Sequence, residues 1–455
     1  MVFVASAEAL LANGFAGRLV QIAPRVGGSA LRASKGLPGT PREPHDHAES
    51  GAMHGTVWKV DAVGLFGTEQ VARAWRYHRP LYAAAVVQFV LALLLLALVV
   101  FTGLGRWLFE PLEAWPWWAR VVGFTALIDA LTTAVGLPIS FWAGFVRERS
   151  WGFSTQDLPG FAADRAKAFV LGLVLSGVAL LGLVGSARLL PLLWPLAAAA
   201  AGAAMVLALG FLAPLLVEPL FNRFVPLEEP EFASELEALA DKAQIPINEV
   251  LVADASRRTR KANAYVSGLG RTRRLVLYDT LLARAARPEI GLVLAHELGH
   301  RRHQHLLKGA LLGMVGVVSF VLLLWTLLRW PHLRTLIGAP DGARDPRVVP
   351  FVLLFAATLQ IPGAPLGAAL SRRWERQADR FSLELTDDLA TFEVTHRSLA
   401  IANLSDLDPP RPIYLAFFSH PTPVERIEAA RRYANSHLAA ATTTTIPSEA
   451  TGSGT

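Results

Sequence analysis

The chain has 455 residues, of which 53% are hydrophobic and only 18% charged, with a formal net charge of +6 and no cysteine. Soluble domains typically carry about 25% charged residues, so this composition excludes an ordinary soluble enzyme and predicts a multi-pass membrane protein. The absence of cysteine excludes a disulfide framework and thiolate metal sites. The small basic excess sits at the ends of apolar blocks and argues against nucleic-acid binding.

In chain order, Val2 to Ile22 is mildly apolar but interrupted by Glu8 and Arg18, and Gly28 to Ser50 reads as a polar Pro/Gly-rich linker. Three readings of the first stretch stay open: a weak first span, an amphipathic surface helix, or a disordered extension. Met53 is an alternative natural start. Leu81 to Gly105 then holds no formal charge and is long enough to cross about 30 Å of hydrocarbon. Val121 to Val146 is a second span, with Asp129 in its middle and Trp115, Trp117 and Trp118 ahead of it as an interfacial belt. An ionisable group at mid-span usually faces a polar cavity or a partner. Ala168 to Ala187, Leu189 to Val217, Gly309 to Leu328 and Val348 to Leu370 complete six expected spans, with Arg188 at a tight turn between the third and fourth.

Basic residues orient these spans. Lys59, Arg73, Arg76 and Arg79 precede the first, and Arg147, Arg149, Arg165 and Lys167 fill the loop before the third. The opposite loops hold Arg106, Arg120 and Arg188; the loop with Arg329, Arg334, Arg344 and Arg347 is the exception. The positive-inside rule therefore predicts residues 218–308 and 371–455 on the cytoplasmic side. Between the fourth and fifth spans, Phe232, Leu236, Leu239 and Ala240 mark an amphipathic helix over 229–245. Val250 to Ala253 and Arg274 to Tyr278 read as short strands, with Asn263 to Val266 a candidate edge strand.

His296-Glu297-Leu298-Gly299-His300 is the most informative segment. H-E-x-x-H on a helix puts two imidazoles one turn apart on one face, able to share a Zn²⁺, with a carboxylate beside them to take a proton from an attacking water. Pro288 and Glu289 read as the first turn of that helix. A third ligand is expected from a later helix. Glu375 in Ser371-Arg372-Arg373-Trp374-Glu375-Arg376-Gln377-Ala378-Asp379 is the candidate, and Asp379, on the same face, is placed to bond a ligand histidine or to order the arginine side chains. The competing reading makes both carboxylates surface partners of Arg372, Arg373, Arg376 and Arg380. His303 and His305 read as interfacial residues rather than extra ligands.

These motifs resemble those of the M48 membrane metalloproteases, and specifically the Ste24-type CAAX prenyl proteases, over about Phe66 to Ala430. Glu218-Pro219-Leu220-Phe221-Asn222-Arg223-Phe224, Gly152-Phe153-Ser154-Thr155-Gln156, the H-E-L-G-H segment and Glu375-Arg376-Gln377-Ala378-Asp379 carry the likeness. The resemblance implies His296, His300 and Glu375 as zinc ligands and Glu297 as the base. Lys261-Ala262-Asn263-Ala264-Tyr265 is similar to the family's strand, implying that Asn263 and Tyr265 hold the substrate backbone. Ser419-His420-Pro421-Thr422-Pro423-Val424-Glu425-Arg426 is similar to its His-Pro segment, implying that His420 and Arg426 stabilise the oxyanion. It further implies a water-filled intramembrane chamber, with a lining role for Asp129, and seven spans where six are legible.

The expected protein is thus mainly α: a polytopic helical membrane protein with an inserted gluzincin-like protease domain containing a small β-sheet. Residues 1–52 form an N-terminal extension, 53–217 four spans, 218–308 the first protease segment, 309–370 two spans, 371–437 the second protease segment, and 438–455 a disordered tail. Its expected activity is zinc-dependent cleavage of peptide bonds near the cytoplasmic face. One Zn²⁺ per chain, membrane lipids and a peptide or protein substrate are the expected partners, with lipid modification of the substrate implied by the family. The Ala-, Leu- and Arg-rich composition favours a bacterial cell membrane over the endoplasmic reticulum. An HtpX-like quality-control protease would use the same ligands with four spans. A site-2-type protease would place the motif within a span, and a non-enzymatic scaffold would not need an intact ligand set.

Overall fold

The computed structural model describes residues 61–267 and 274–444; the expected weak span at Val2 to Ile22 and residues 445–455 lie outside them. Six helices among the described residues are long and apolar enough to cross a membrane. They are α1 (Thr68–Phe101), α2 (Trp117–Phe141, continued by a π-turn over Trp142–Arg147), α3 (Leu158–Leu189), α4 (Trp194–Leu212), and, after the first protease segment, two more. Only 17% of the most apolar window of α1 is buried within the protein, and 44% of that of α3. So much unpartnered apolar surface requires hydrocarbon around it.

Small residues are buried along α3, at Gly172, Ser176, Gly177 and Gly185; a Cβ at Gly185 would meet the Trp117 ring at 3.4 Å. Ser176 Oγ donates to Asp129 Oδ2 at 2.7 Å. Asp129 is buried, so its carboxylate sits in the interface between α2 and α3 and does not line an open chamber. Desolvation is offset locally by that hydrogen bond.

Between α4 and the fifth spanning helix lie β1 (Phe224–Pro226), α5 (Pro230–Lys242), β2 (Glu249–Ala253), β3 (Ala264–Ser267), β4 (Arg274–Tyr278) and α6 (Arg287–Arg302). The sheet order is β1-β2-β4-β3, with β2 and β4 parallel and the outer pairs antiparallel. As expected, α5 buries Phe232, Leu236 and Ala240. They meet Val250, Leu275, Leu277, Ile290, Leu294 and Leu298 in a core of their own. At roughly 25 cal/mol per Å² of apolar area, that core supports a compact unit outside the lipid.

The chain then continues through α7 (His305–Leu328), α8 (Val349–Thr386), α9 (Leu389–Asn403), α10 (Arg411–Phe417) and α11 (Pro423–Thr444). Several boundaries differ from expectation, two of them for one reason: hydropathy marks the lipid-crossing part of a helix, not its ends. The first span begins at Thr68, with Arg73, Arg76 and Arg79 inside the helix. The proposed division at 370/371 falls within α8, whose 38 residues reach about 57 Å at 1.5 Å per residue. About 30 Å of that suffices to cross the membrane, and the remainder projects from it. The last helix runs to Thr444, past the expected start of the tail at 438.

Candidate active site

Pro at the first turn and Glu289 beside it start α6 as the sequence suggests. Its later turns carry the motif into the seam against α8. Gly299 permits this contact: a Cβ there would lie 2.8 Å from Ala378 Cα and 3.0 Å from its carbonyl oxygen. The projecting end of the sixth span therefore lies directly on the H-E-x-x-H helix.

Three side chains converge in that seam. His296 Nε2 and His300 Nε2 are 3.1 Å apart. Glu375 Oε2 lies 3.3 Å from the first and Glu375 Oε1 3.3 Å from the second. A tetrahedral ion with bonds of about 2.0–2.1 Å needs its ligands about 3.3 Å apart, so the spacing fits a zinc-sized cation. Ligand atoms of His296, Glu297 and His300 also lie within 4.8 Å of one another, while the Glu375 oxygens approach both imidazoles at 3.3 Å. Buried Glu297, Glu375 and Asp379 face one buried guanidinium, Arg426. With His296 neutral, as a metal ligand must be, their formal charges leave a double negative excess that a divalent cation would neutralise. Glu297 Oε1 has no hydrogen-bond partner among the described residues, a costly arrangement for a buried oxygen unless something else binds it.

Asp379 holds the other side of His296, its Oδ1 being 2.9 Å from Nδ1. Burial by itself lowers the His296 pKa, but hydrogen bonds to Asp379 and Glu375 outweigh it and push the value up to about 9. His396, 4.0 Å from Asp379 Oδ1, experiences the opposite balance. Burial and the Arg426 charge press its pKa down to about 3, so it packs as a neutral ring on Phe392.

Arg426 is ordered by the start of α11. Thr422 and Glu425 form a capping box: Glu425 N–H donates to Thr422 Oγ1 at 3.2 Å, and Thr422 N–H to Glu425 Oε2 at 2.8 Å. Arg426 then donates through Nε to Asp379 Oδ2 at 2.8 Å and through Nη2 to Oδ1. This bidentate pair directs the guanidinium at Asp379, with Nη2 also 3.2 Å from His296 Nδ1. His420, just ahead of the cap, is one-quarter exposed, and its Nδ1 lies 2.9 Å from Glu375 Oε2 without hydrogen-bond alignment. The structure thus brings His296, Glu297, His300, Glu375, Asp379, His420 and Arg426 together.

Asn263 precedes β3, the edge strand of the sheet. It is only 3% exposed, yet neither its amide oxygen nor its amide nitrogen has a partner among the described residues. Tyr278 N–H donates to the Asn263 carbonyl at 2.9 Å, so by antiparallel alternation the next residue, Ala264, turns its N–H and C=O away from β4. Further along, Arg301 donates to the Val266 carbonyl and caps that end of the edge. The Tyr265 side chain is engaged elsewhere, its hydroxyl donating to Glu218 Oε2 at 3.1 Å.

The sequence reading missed several supporting groups. Arg372, one of the arginines weighed as a carboxylate partner, donates instead to the Tyr414 and Phe418 carbonyls at 3.0 and 2.6 Å, steadying the His420 loop. Arg380 pairs with Glu384. His305 is buried against the far side of His300. The T-x-x-E signature at Thr422 was a legible clue to the cap; nothing local marked Arg372.

Comparison with known proteins gives this arrangement a lineage. Residues 226–434 match "Peptidase family M48", and residues 62–223 match "CAAX prenyl protease N-terminal, five membrane helices". An uncharacterized metalloprotease of Bacillus subtilis, YhfN, is 31% identical over 319 residues, covering 70% of this chain and 74% of that protein. CAAX prenyl protease 1 of Saccharomyces cerevisiae is 29% identical over 332 residues, covering 68% and 72%. The crystal structure of S. mikatae Ste24p superimposes with a TM-score of 0.69 at 25% identity, over 80% of this chain and 88% of that one. Sequence, membrane architecture and ligand spacing agree, and the chain belongs to peptidase family M48 as a Ste24-type membrane metalloprotease.

Proposed function

We propose that the protein is a zinc-dependent endopeptidase of a bacterial cell membrane, cutting peptide bonds at the cytoplasmic face near the C-termini of lipid-modified proteins. The observation that carries this reading is the convergence of His296, His300 and Glu375 with edges of 3.1 to 3.3 Å. Zinc held there supplies a Lewis acid that polarises the scissile carbonyl and acidifies water. Glu297 takes the proton from the attacking water and delivers it to the leaving amine. The outward-facing N–H and C=O of Ala264 pair with an extended substrate, and the unpartnered Asn263 amide completes the hold on its backbone. His420 stands open beside Glu375 to donate to the oxyanion. Arg426 supports the same charge from behind, through Asp379 and His296.

The lipid-modified substrate class is drawn from the CAAX prenyl proteases among the relatives, and the cytoplasmic orientation from the Arg and Lys distribution. The test is cleavage of a labelled peptide by protein purified without chelator. Wild type should carry close to one zinc, and Glu297→Gln should keep it while losing about 10²–10⁴-fold in rate. A wild type without metal, or cleavage retained in Glu297→Gln, refutes the mechanism. Equal cleavage of prenylated and unprenylated peptides refutes the lipid-modified class.

A further inference from the structure

The geometry points to His305 as the residue that decides which nitrogen of His300 carries hydrogen, with Gln377 deciding the same for His305. His300 Nε2 is thereby kept free for the metal. This positioning role rests on the metal-site reading above.

The chain is shaped to bring His305 back to His300. On an unbroken helix, residue i+5 lies about 140° around the axis from residue i and faces away from it. Here α6 ends at Arg302, and Gln304 adopts the left-handed conformation at φ 54° and ψ 36°. Non-glycine residues hold that conformation only where surroundings enforce it. The turn returns the His305 ring, 5% exposed, to the back of His300, where its Nδ1 lies 2.9 Å from His300 Nδ1. Trp374 stacks on the ring at 5.1 Å with planes 11° apart, and Gln377 Oε1 lies 3.0 Å from its Nε2.

Hydrogen counting sets the direction. An amide oxygen only accepts, so His305 Nε2 carries hydrogen, and its neutral ring has none left for Nδ1. The single hydrogen between the two rings therefore belongs to His300 Nδ1. That leaves a lone pair on His300 Nε2, the atom turned toward His296 and Glu375. Presenting the amide nitrogen of Gln377 instead would reverse both bonds and put hydrogen on His300 Nε2, closing the ligand site. The two metal histidines thus have different supports: a carboxylate, Asp379, behind His296 and an imidazole–amide relay behind His300.

Zinc affinity of the purified full chain, measured by competition with a chromogenic chelator, tests the relay apart from activity. His305→Phe keeps an aromatic ring for Trp374 but removes the acceptor, and should weaken zinc about 10–100-fold. It should also shift the visible bands of the cobalt-substituted protein, which a packing role would not do. Gln377→Glu presents only acceptors and should bind zinc at least as tightly as wild type, while Gln377→Leu should weaken it. Unchanged affinity in His305→Phe, or a loss in Gln377→Glu as large as in Gln377→Leu, overturns the relay. A wild type that binds no zinc overturns the metal reading and the relay with it.

Discussion

The chemistry is concentrated in a few side chains whose partners determine what each can do. His296 illustrates this. Its pKa of about 9 without metal means that a proton occupies the imidazole across neutral pH, held by Asp379 and Glu375. The folded value is above the unfolded one near 6.5, so this proton stabilises the metal-free fold fully below pH 6.5, and the contribution disappears as pH rises through 9. A metal competes for the same ring. Apparent zinc affinity should therefore increase from pH 6.5 towards 9, by up to about tenfold per unit, and the thermal stabilisation given by added zinc should increase with it. Chelator competition across that range checks this, and a flat profile would contradict it. His296, His300 and Glu297, the proposed ligands and base, were legible as a cluster because H-E-x-x-H is a local pattern. The relay through His305 was not, because i+5 spacing predicts a ring facing away until the turn at Gln304 is known.

At the scale of the elements, the decisive contact is α6 on α8. Glycine in a helix interior costs about 1 kcal/mol relative to alanine, so Gly299→Ala would gain that much if the seam could open. It cannot do so cheaply, since the new methyl would meet the backbone of Ala378 at 2.8 Å. Overpacking of this kind costs about 1–3 kcal/mol, and the displacement would separate Glu375 from the histidines. Gly299→Ala should therefore lower both the Tm and zinc affinity despite its better helix propensity. A Tm above wild type with unchanged zinc binding would show that α8 moves freely. The sequence predicted a third ligand after the sixth span; it did not reveal that span and ligand share one continuous helix, because charged residues lower hydropathy without breaking a helix.

For the whole molecule, membrane and protease parts are joined where two spanning helices end in π-turns, over Trp142–Arg147 and Ala213–Val217. Each turn is followed by a carboxylate that reaches toward β3. Glu148 binds Lys261 ahead of the strand at 2.7 Å and receives the Tyr77 hydroxyl from α1. Glu218 accepts from Tyr265 and Ser267 within the strand, both at 3.1 Å. The proposed substrate edge is thus tied to the spans at both ends. The absence of native cysteine makes its orientation directly testable. Leu192→Cys, at a turn position 93% exposed, and Ser234→Cys, exposed on α5, lie in segments of opposite predicted side. In intact cells an impermeant maleimide should label the first and reach the second only after permeabilisation. The reverse pattern would place the active site outside.

The sequence by itself determined the class of molecule, the apolar core of each of the six helices, and the metalloprotease motif, because hydropathy and motif spacing are local properties of the chain. Only the tertiary structure decided that α8 carries Glu375 from the membrane onto the H-E-x-x-H helix, that Arg426 is committed to Asp379, and that His305 and Gln377 stand behind His300. Those outcomes depend on which faces of distant elements meet and where a left-handed residue turns the backbone, and neither is encoded in the spacing of residues along the chain.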